Sequence, residues 1–253
     1  MHSNISLVEN MKIDFSKKTA IVTGGTRGIG KSIVSLLIES GCHVIYTGTK
    51  EQPKSPIKNG QYEQLELSDV KSIDRFVKEV IGKTPRVDIL INSAGINIIE
   101  SIDEIKDENW EKVLTVNLTG PMRLMRAVAK VMKKNEHKGK ILNISSIFGV
   151  VSKAKRNSYS VSKAGLIGLT RASSLDLAPH NILVNALCPG FTSTELTKSI
   201  LSSKEIKDLS SQIPLGRFAD VSEIAKIAIF LCSDLNGYTT GQIFVVDGGF
   251  IIK

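Results

Sequence analysis

The sequence predicts an α/β fold of the Rossmann type: a doubly wound, seven-stranded parallel sheet with helices on both faces, built as a single domain over residues 1–253. Three observations predict it. Short apolar segments alternate with stretches of helical periodicity through most of the chain. The first apolar segment runs into a glycine-rich turn that opens a helix, where backbone N–H groups meet a pyrophosphate. The composition, 42% hydrophobic and 23% charged, is that of a globular chain able to bury one large core.

Residues 1–14 read as a flexible extension. Strands are expected over 19–23, 43–47, 62–67, 88–92, 140–145, 183–187 and 242–246, each short, apolar and followed by turn residues. Helices are expected over 29–39, 72–81, 110–134, 160–177 and 221–231, where apolar residues recur at three- and four-residue steps. Residues 50–61, KEQPKSPIKNGQ, carry two prolines, a glycine and no apolar face, which makes this crossover a loop. Residues 192–213 read as a flap over a substrate site, with few aromatics and several hydroxyls, which favours a polar substrate.

The formal net charge of +8, from 33 basic and 25 acidic residues, favours anionic partners such as a phosphate-bearing cofactor. Nucleic acid is not expected, because aromatics are only 5% and the basic residues are spread along helical faces. The one dense cluster, Lys130, Lys133, Lys134, His137, Lys138 and Lys140, closes a helix, where cations suit the dipole. Cys42, Cys188 and Cys232 have neither disulfide nor zinc spacing, and the four histidines are scattered, so no metal is expected. No apolar run approaches the ~18 residues of a membrane span, and the N-terminal stretch lacks a secretory apolar core, so a cytoplasmic protein is expected.

Two constellations carry chemistry. The turn Thr23-Gly24-Gly25-Thr26-Arg27-Gly28-Ile29-Gly30 fits a dinucleotide pyrophosphate. About 20 positions further on, where NAD-binding chains place an acid for the ribose 2′-hydroxyl, stands Gly48, flanked by Thr47, Thr49 and Lys50. With no carboxylate there, and with Arg27 and Lys50 in reach, a 2′-phosphate is accepted and NADP(H) is favoured over NAD(H). The second constellation is Tyr159-Ser-Val-Ser-Lys163, a phenol and an ammonium one helical turn apart. A neighbouring positive charge lowers a phenol's pKa and fits it for acid/base work near neutrality. Just upstream, Ser145 and Ser146 close a strand and offer a hydroxyl for a developing oxyanion.

In order, TGGTRGIG, Asp69 in LSDV, NSAG at Asn92, Asn117 in VNLTG, ISSIFG, YSVSK, CPG at Cys188 and the closing DGG resemble the short-chain dehydrogenase/reductase family from Lys18 to Gly249. The resemblance implies a carbonyl or alcohol substrate and a catalytic set of Asn117, Ser146, Tyr159 and Lys163, with Ser146 rather than Ser145 as the hydroxyl. Asn117 would support a water relay behind Lys163, which also bonds the nicotinamide ribose. Gly24, Thr26, Arg27, Gly28, Ile29 and Gly30 would hold the phosphates, and Thr49, Lys50 and Arg27 the 2′-phosphate. Asp69 and Val70 would meet the adenine, and Asn92, Ala94 and Gly95 the adenine ribose. Pro189, Gly190, Thr192 and Thr194 would cover the nicotinamide with Tyr159 and Lys163. Association as a homotetramer through the long helices and the apolar tail is implied as well.

The TGTKE and IPLGRFADVSEIA segments are similar to bacterial 3-oxoacyl-[acyl-carrier-protein] reductases, which suggests a 3-oxoacyl thioester substrate. At His137 and His180, however, this chain has histidine where those enzymes typically carry arginine for docking the carrier. Sugars, polyols and other small polar ketones are the alternative substrates. Lys153, Lys155 and Arg156, between Ser146 and Tyr159, read as a solvated basic loop near the substrate mouth, with recognition of a substrate carboxylate or phosphate as the alternative. A non-catalytic nucleotide sensor is disfavoured, because all four catalytic positions are filled.

Overall fold

A computed structural model describes residues 13–134, 138–195, 197 and 202–253. The expected extension over 1–14, His137 and part of the 192–213 flap therefore lie largely or wholly outside the described residues. Seven parallel strands, β1 (Thr19–Thr23), β2 (His43–Gly48), β3 (Gly60–Gln64), β4 (Ile89–Asn92), β5 (Gly139–Ile144), β6 (Ile182–Pro189) and β9 (Ile243–Val246), form one sheet in the order β3-β2-β1-β4-β5-β6-β9.

Both faces of this sheet are buried, and the side-chain alternation of the strands shows how. Along β1, Ala20 and Val22 enter one core cluster with Ile33, Val34 and Leu37 of α1 (Gly28–Glu39) and with Ile224 and Ala228 of α7 (Val221–Cys232). Ile21, between them, enters the other cluster. There it meets Ile73 and Phe76 of α2 (Val70–Phe76) and Leu124, Met125 and Val128 of α4 (Gly120–Lys134). A period of two with both phases apolar is what a parallel sheet covered on each side requires. Each fully buried Ile, Leu or Val contributes about 1.5–3 kcal/mol of transfer free energy. No helix among the described residues is long and apolar enough to cross a membrane.

Some boundaries differ from those the sequence predicts. β3 covers Gly60–Gln64 rather than 62–67, because it is an edge strand paired with β2 alone, and β2 ends at Gly48 opposite Gln64. Leu65 and Leu67 are buried, but beyond the ladder. The crossover before it is a loop, as its composition predicts, yet a tethered one. Ile57 N–H donates to Tyr46 Oη at 3.0 Å, Tyr62 Oη donates to the Lys50 carbonyl, and the Tyr46 and Tyr62 rings meet edge-on at 5.4 Å.

The helix expected over 110–134 is two helices, α3 (Asp107–Leu114) and α4, joined by a wider π turn at Thr115–Thr119. Pro121 is the cause: it has no N–H for the carbonyl of Asn117, so the regular ladder is interrupted at that point. The helix expected over 72–81 likewise begins earlier, at Val70, and widens into a π turn at Val77–Ile81. α5 runs from Asn157 to Leu177, and α6 from Ser203 to Ser210. A two-residue pairing missed in the sequence joins β7 (Thr192–Ser193) to β8 (Ala219–Asp220) in parallel.

Candidate active site

The strand order reverses between β1 and β4, and the carboxyl ends of these strands frame a crevice, the place where such sheets bind ligands. Thr23, closing β1, accepts the N–H groups of Ser93 and Ala94 at 3.0 and 3.1 Å, which ties the two strand ends together. The glycine-rich turn is then pressed against this seam. Gly24 has φ +65°, and a Cβ on it would lie 2.8 Å from Ala94 Cα; a Cβ on Gly30 would lie 2.3 Å from the Gly24 carbonyl oxygen. Neither position tolerates a side chain.

Arg27, extended and exposed, directly precedes α1, whose first turn has no acidic residue, so Gly28, Ile29 and Gly30 open a helix end free for an anion. Across the crevice, a Cβ at Gly28 would lie 3.5 Å from the Thr194 methyl group, so the chain after β7 approaches this turn. Gly48 closes β2 beside it. A Cβ there would lie 2.7 Å from Thr26 Cγ2 and 3.1 Å from Tyr62 Oη, so an aspartate would have to displace the Thr26 side chain. Thr49 and Lys50 follow with exposed side chains, their carbonyls accepting from Gln64 and Tyr62.

Asn92 Nδ2 donates to Asn143 Oδ1 at 2.8 Å, while its own buried Oδ1 has no protein partner. A ribose hydroxyl suits such an acceptor. Together with the bare glycine cradle, this orphaned oxygen fits the residues to a dinucleotide. Asp69 has a role that the sequence reading overlooked: its Oδ1 caps α2 by accepting from Lys71 N–H at 2.9 Å, with Val70 beside it 44% exposed. The D-x-K spacing is the signal that was available.

The candidate acid/base group assembles from the end of β5, from α5 and from the π turn at Thr115–Thr119. Ser145 and Ser146 are separated in function by geometry. Ser145 is buried and donates to the Lys163 carbonyl at 2.9 Å, whereas Ser146 caps the turn Ile147–Gly149, accepting from Phe148 N–H at 3.1 Å, and is the neighbour that pulls the Tyr159 phenol's pKa down. Gly149 permits this approach, since a Cβ there would lie 2.9 Å from the Lys163 backbone. Lys163 is 4% exposed; its Nζ donates to the Ile144 carbonyl at 2.9 Å and lies 5.6 Å from the centroid of the Tyr159 ring.

Asn117, fully buried, donates to the Ile96 carbonyl at 2.8 Å and to Ser162 Oγ at 3.0 Å, and accepts from Ile96 N–H at 2.9 Å. The π turn holds it in this position. A Cβ on Gly95 would lie 3.3 Å from both Asn117 Oδ1 and Lys163 Nζ, so the carboxamide and the ammonium converge on one glycine.

The electrostatics differ from what the Tyr-x-x-x-Lys spacing predicts. Burial raises the Tyr159 phenol above its ordinary value, and the opposing influences are the Ser146 hydrogen bond and then the charge of Arg156. Lys163 is not the group that counteracts burial at the phenol. Its own burial lowers it to about 8, because a desolvated ammonium favours giving up its proton.

Past Gly190, whose Cβ position is only 2.7 Å from Asp247 Cα, the chain turns over the crevice. Gly190 N–H donates to the Val246 carbonyl at 2.9 Å, Thr192 Oγ1 donates to the Gly190 carbonyl at 3.1 Å, and Thr194 accepts from Thr197 N–H at 3.1 Å. Pro189, ending β6, starts this segment. The sequence shows few aromatics in the flap itself, but outside it Phe148, Phe191, Phe218 and Phe250 gather from four separate segments into a wall beside Tyr159. Phe148 meets Tyr159 at 6.5 Å and Phe191 at 6.3 Å, and Phe191 meets Phe218 at 5.3 Å and Phe250 at 5.2 Å. Four isolated phenylalanines far apart in the chain give no local signal.

A parallel sheet with this switch point, together with a serine just past β5 and a tyrosine and lysine on α5, defines an oxidoreductase, and the chain belongs to the short-chain dehydrogenase/reductase family. Residues 24–251 match a family model described as enoyl-(acyl carrier protein) reductase. Among curated relatives, 3-oxoacyl-[acyl-carrier-protein] reductase FabG of Aquifex aeolicus is 38% identical, over 94% of this chain and 99% of its own. FabG of Escherichia coli K12 is 36% identical over 94% and 98%. Among solved structures, 4-hydroxyisoleucine dehydrogenase complexed with NADH superimposes with a TM-score of 0.88 at 31% identity, covering 93% of this chain and 99% of that one. A short-chain type dehydrogenase/reductase of Mycobacterium marinum gives 0.88 at 26% identity over 95% and 98%.

Proposed function

We propose that this protein reduces a ketone to a secondary alcohol, or runs the reverse reaction, with NADP(H) in the crevice and Tyr159 as the acid/base. The observation that carries the reading is the convergence of Ser146 on the Tyr159 phenol, with Lys163 and Asn117 meeting behind it at Gly95. The bound nicotinamide supplies or takes the hydride. Ser146 donates a hydrogen bond to the carbonyl oxygen as negative charge develops there, and Tyr159 gives that oxygen its proton. Lys163, its pKa lowered to about 8, passes a replacement proton towards the phenol, and Asn117 supports the water relay that brings it from solvent.

Gly24, Thr26, Arg27, Gly28, Ile29 and Gly30 hold the pyrophosphate, with Asn92, Ala94 and Gly95 at the adenine ribose and Asp69 and Val70 at the adenine. Pro189, Gly190, Thr192 and Thr194 cover the nicotinamide at the root of a flap over 192–213. Preference for NADP(H) over NAD(H) is supported by Arg27, Thr49 and Lys50 on one rim and by Gly48, where a ribose-reading acid would have to displace the Thr26 side chain.

A 3-oxoacyl thioester is the substrate class that the names of the curated relatives suggest, with small polar ketones as the alternative. Cytoplasmic homotetramers belong to the same reading, supported by exposed apolar residues on α5 and the tail, Leu175 at 77% and Ile252 at 86%. The test is NADPH oxidation over a panel of ketones by wild type and Tyr159→Phe. Turnover should fall by at least about 10²-fold, the usual share of acid/base catalysis, with NADPH affinity within about twofold. A fully active phenylalanine variant removes tyrosine from the mechanism.

A further inference from the structure

Arg156 is the cap residue immediately before α5, followed three residues on by Tyr159 and, one helical turn further, by Lys163. The two cations at the ends of this row have different surroundings. Lys163 is buried and bonded to the Ile144 carbonyl. Arg156 is half-buried, and its guanidinium carbon lies 5.9 Å from the centroid of the Phe148 ring. Lys153 and Lys155 beside it are exposed, so Arg156 departs from the solvated-loop reading of this segment.

No carboxylate among the described residues pairs with Arg156. Glu100, whose backbone bridges to that of Arg156, directs Oε1 to Asn109 Nδ2 at 2.6 Å, and its buried Oε2 bonds neither Arg156 nor any other group among the described residues. Burial lowers the guanidinium's pKa, and the Tyr159 phenolate is the group that pulls it back. A guanidinium held partly out of water without a counter-ion is unfavourable, unless a ligand provides the missing acceptor. Its neighbours are the Phe148 ring and, through it, the aromatic wall.

We propose that Arg156 is a specificity-determining residue that binds an anionic group, a carboxylate or a phosphate, carried by the substrate close to its reacting carbonyl. The planar fork of arginine suits either oxyanion. The Arg156 guanidinium and the Tyr159 ring lie 5.9 and 6.5 Å from the centre of the same Phe148 ring, so charge and carbonyl sit within a small molecule. The substrate is then a short anionic ketone, whose carbon chain lies along the phenylalanines. This inference rests on the hydride-transfer reading above and narrows it, since the acyl chain of a carrier-bound thioester is neutral next to its ketone.

The experiment measures NADPH oxidation with acetoacetate against methyl acetoacetate, and with dihydroxyacetone phosphate against dihydroxyacetone, for wild type, Arg156→Gln and Arg156→Lys. In wild type the charged member of one pair should lead its neutral partner in kcat/KM by about 10- to 100-fold, the range of a charge-assisted hydrogen-bond pair. The pair that shows the preference tells carboxylate from phosphate. In Arg156→Gln the ratio should approach one, with Arg156→Lys between. Using the ratio cancels any common loss through the phenol or the fold. A wild type indifferent to charge, or a glutamine variant that keeps the ratio, overturns the inference.

If NADPH binds and no carbonyl is consumed, the hydride-transfer reading fails by itself. The anion site is then read by calorimetry with 3-hydroxybutyrate against its methyl ester and glycerol 3-phosphate against glycerol. Tighter binding of a charged ligand, lost in Arg156→Gln, supports the site, and equal binding overturns it.

Discussion

Replacing Lys163 by methionine, similar in length and uncharged, reads the cost of burying the ammonium. Burial lowers Lys163 from 10.5 to about 8. Its folded value lies below its unfolded one, so between these limits the unfolded chain binds more protons and stability rises with pH. Below about pH 8 both states carry the proton and the burial penalty acts in full. Each tenfold loss of proton affinity is worth about 1.36 kcal/mol, so the penalty is on the order of 3 kcal/mol. Above 10.5 it is gone. The substitution also removes the bond to the Ile144 carbonyl, so stability at one pH mixes two effects. The change of the wild-type-minus-variant difference across the window isolates the titration. Urea unfolding followed by circular dichroism, at fixed protein concentration and at steps from about pH 7.5 to about 10.5, should show wild type gaining on Lys163→Met by on the order of 3 kcal/mol. Parallel stability curves would refute a desolvated lysine.

Other outcomes follow from the crevice. Arg27→Ala should weaken NADPH by roughly 10- to 100-fold, the value of a charge-assisted contact, while NADH changes little; titration by fluorescence checks it, and equal losses contradict the 2′-phosphate assignment. Gly95→Ala should lower kcat by roughly 10- to 100-fold with an unchanged thermal midpoint, because the new methyl meets Lys163 Nζ and Asn117 Oδ1 at 3.3 Å while Asn117 is pinned by three hydrogen bonds. Undiminished kcat would show that these two groups do not work through that point.

The sheet was legible because burial on both faces leaves a strong mark: β1, β2, β4 and β9 fall within one residue of their expected limits. The turn at Gly24 to Gly30 was legible because its steric demands leave so few residue choices. What escaped depends on contacts distant in sequence. β3 ends where its single neighbour ends, β7 exists through a pairing with β8 some 25 residues away, and the aromatic wall draws on positions 148, 191, 218 and 250. The π turn at Asn117 did have a cue in Pro121, which helical periodicity alone passes over. At the catalytic pair, spacing gave the neighbours but not their titration, which depends on how deeply each is desolvated.

The short pairing of β7 with β8 has a bearing on how new specificities arise. Thr192 sits opposite Ala219 and Ser193 opposite Asp220, while Arg217 grips Glu223 at 2.7 and 2.8 Å and Asp220 N–H bonds the same carboxylate. Everything between those pairs is therefore a cassette with fixed ends. Closing a longer loop costs little extra entropy, about 0.6 kcal/mol for each doubling of its length. Insertions and deletions there can change the segment's length and side chains while the ends held by this clasp, and the sheet behind them, stay where they are.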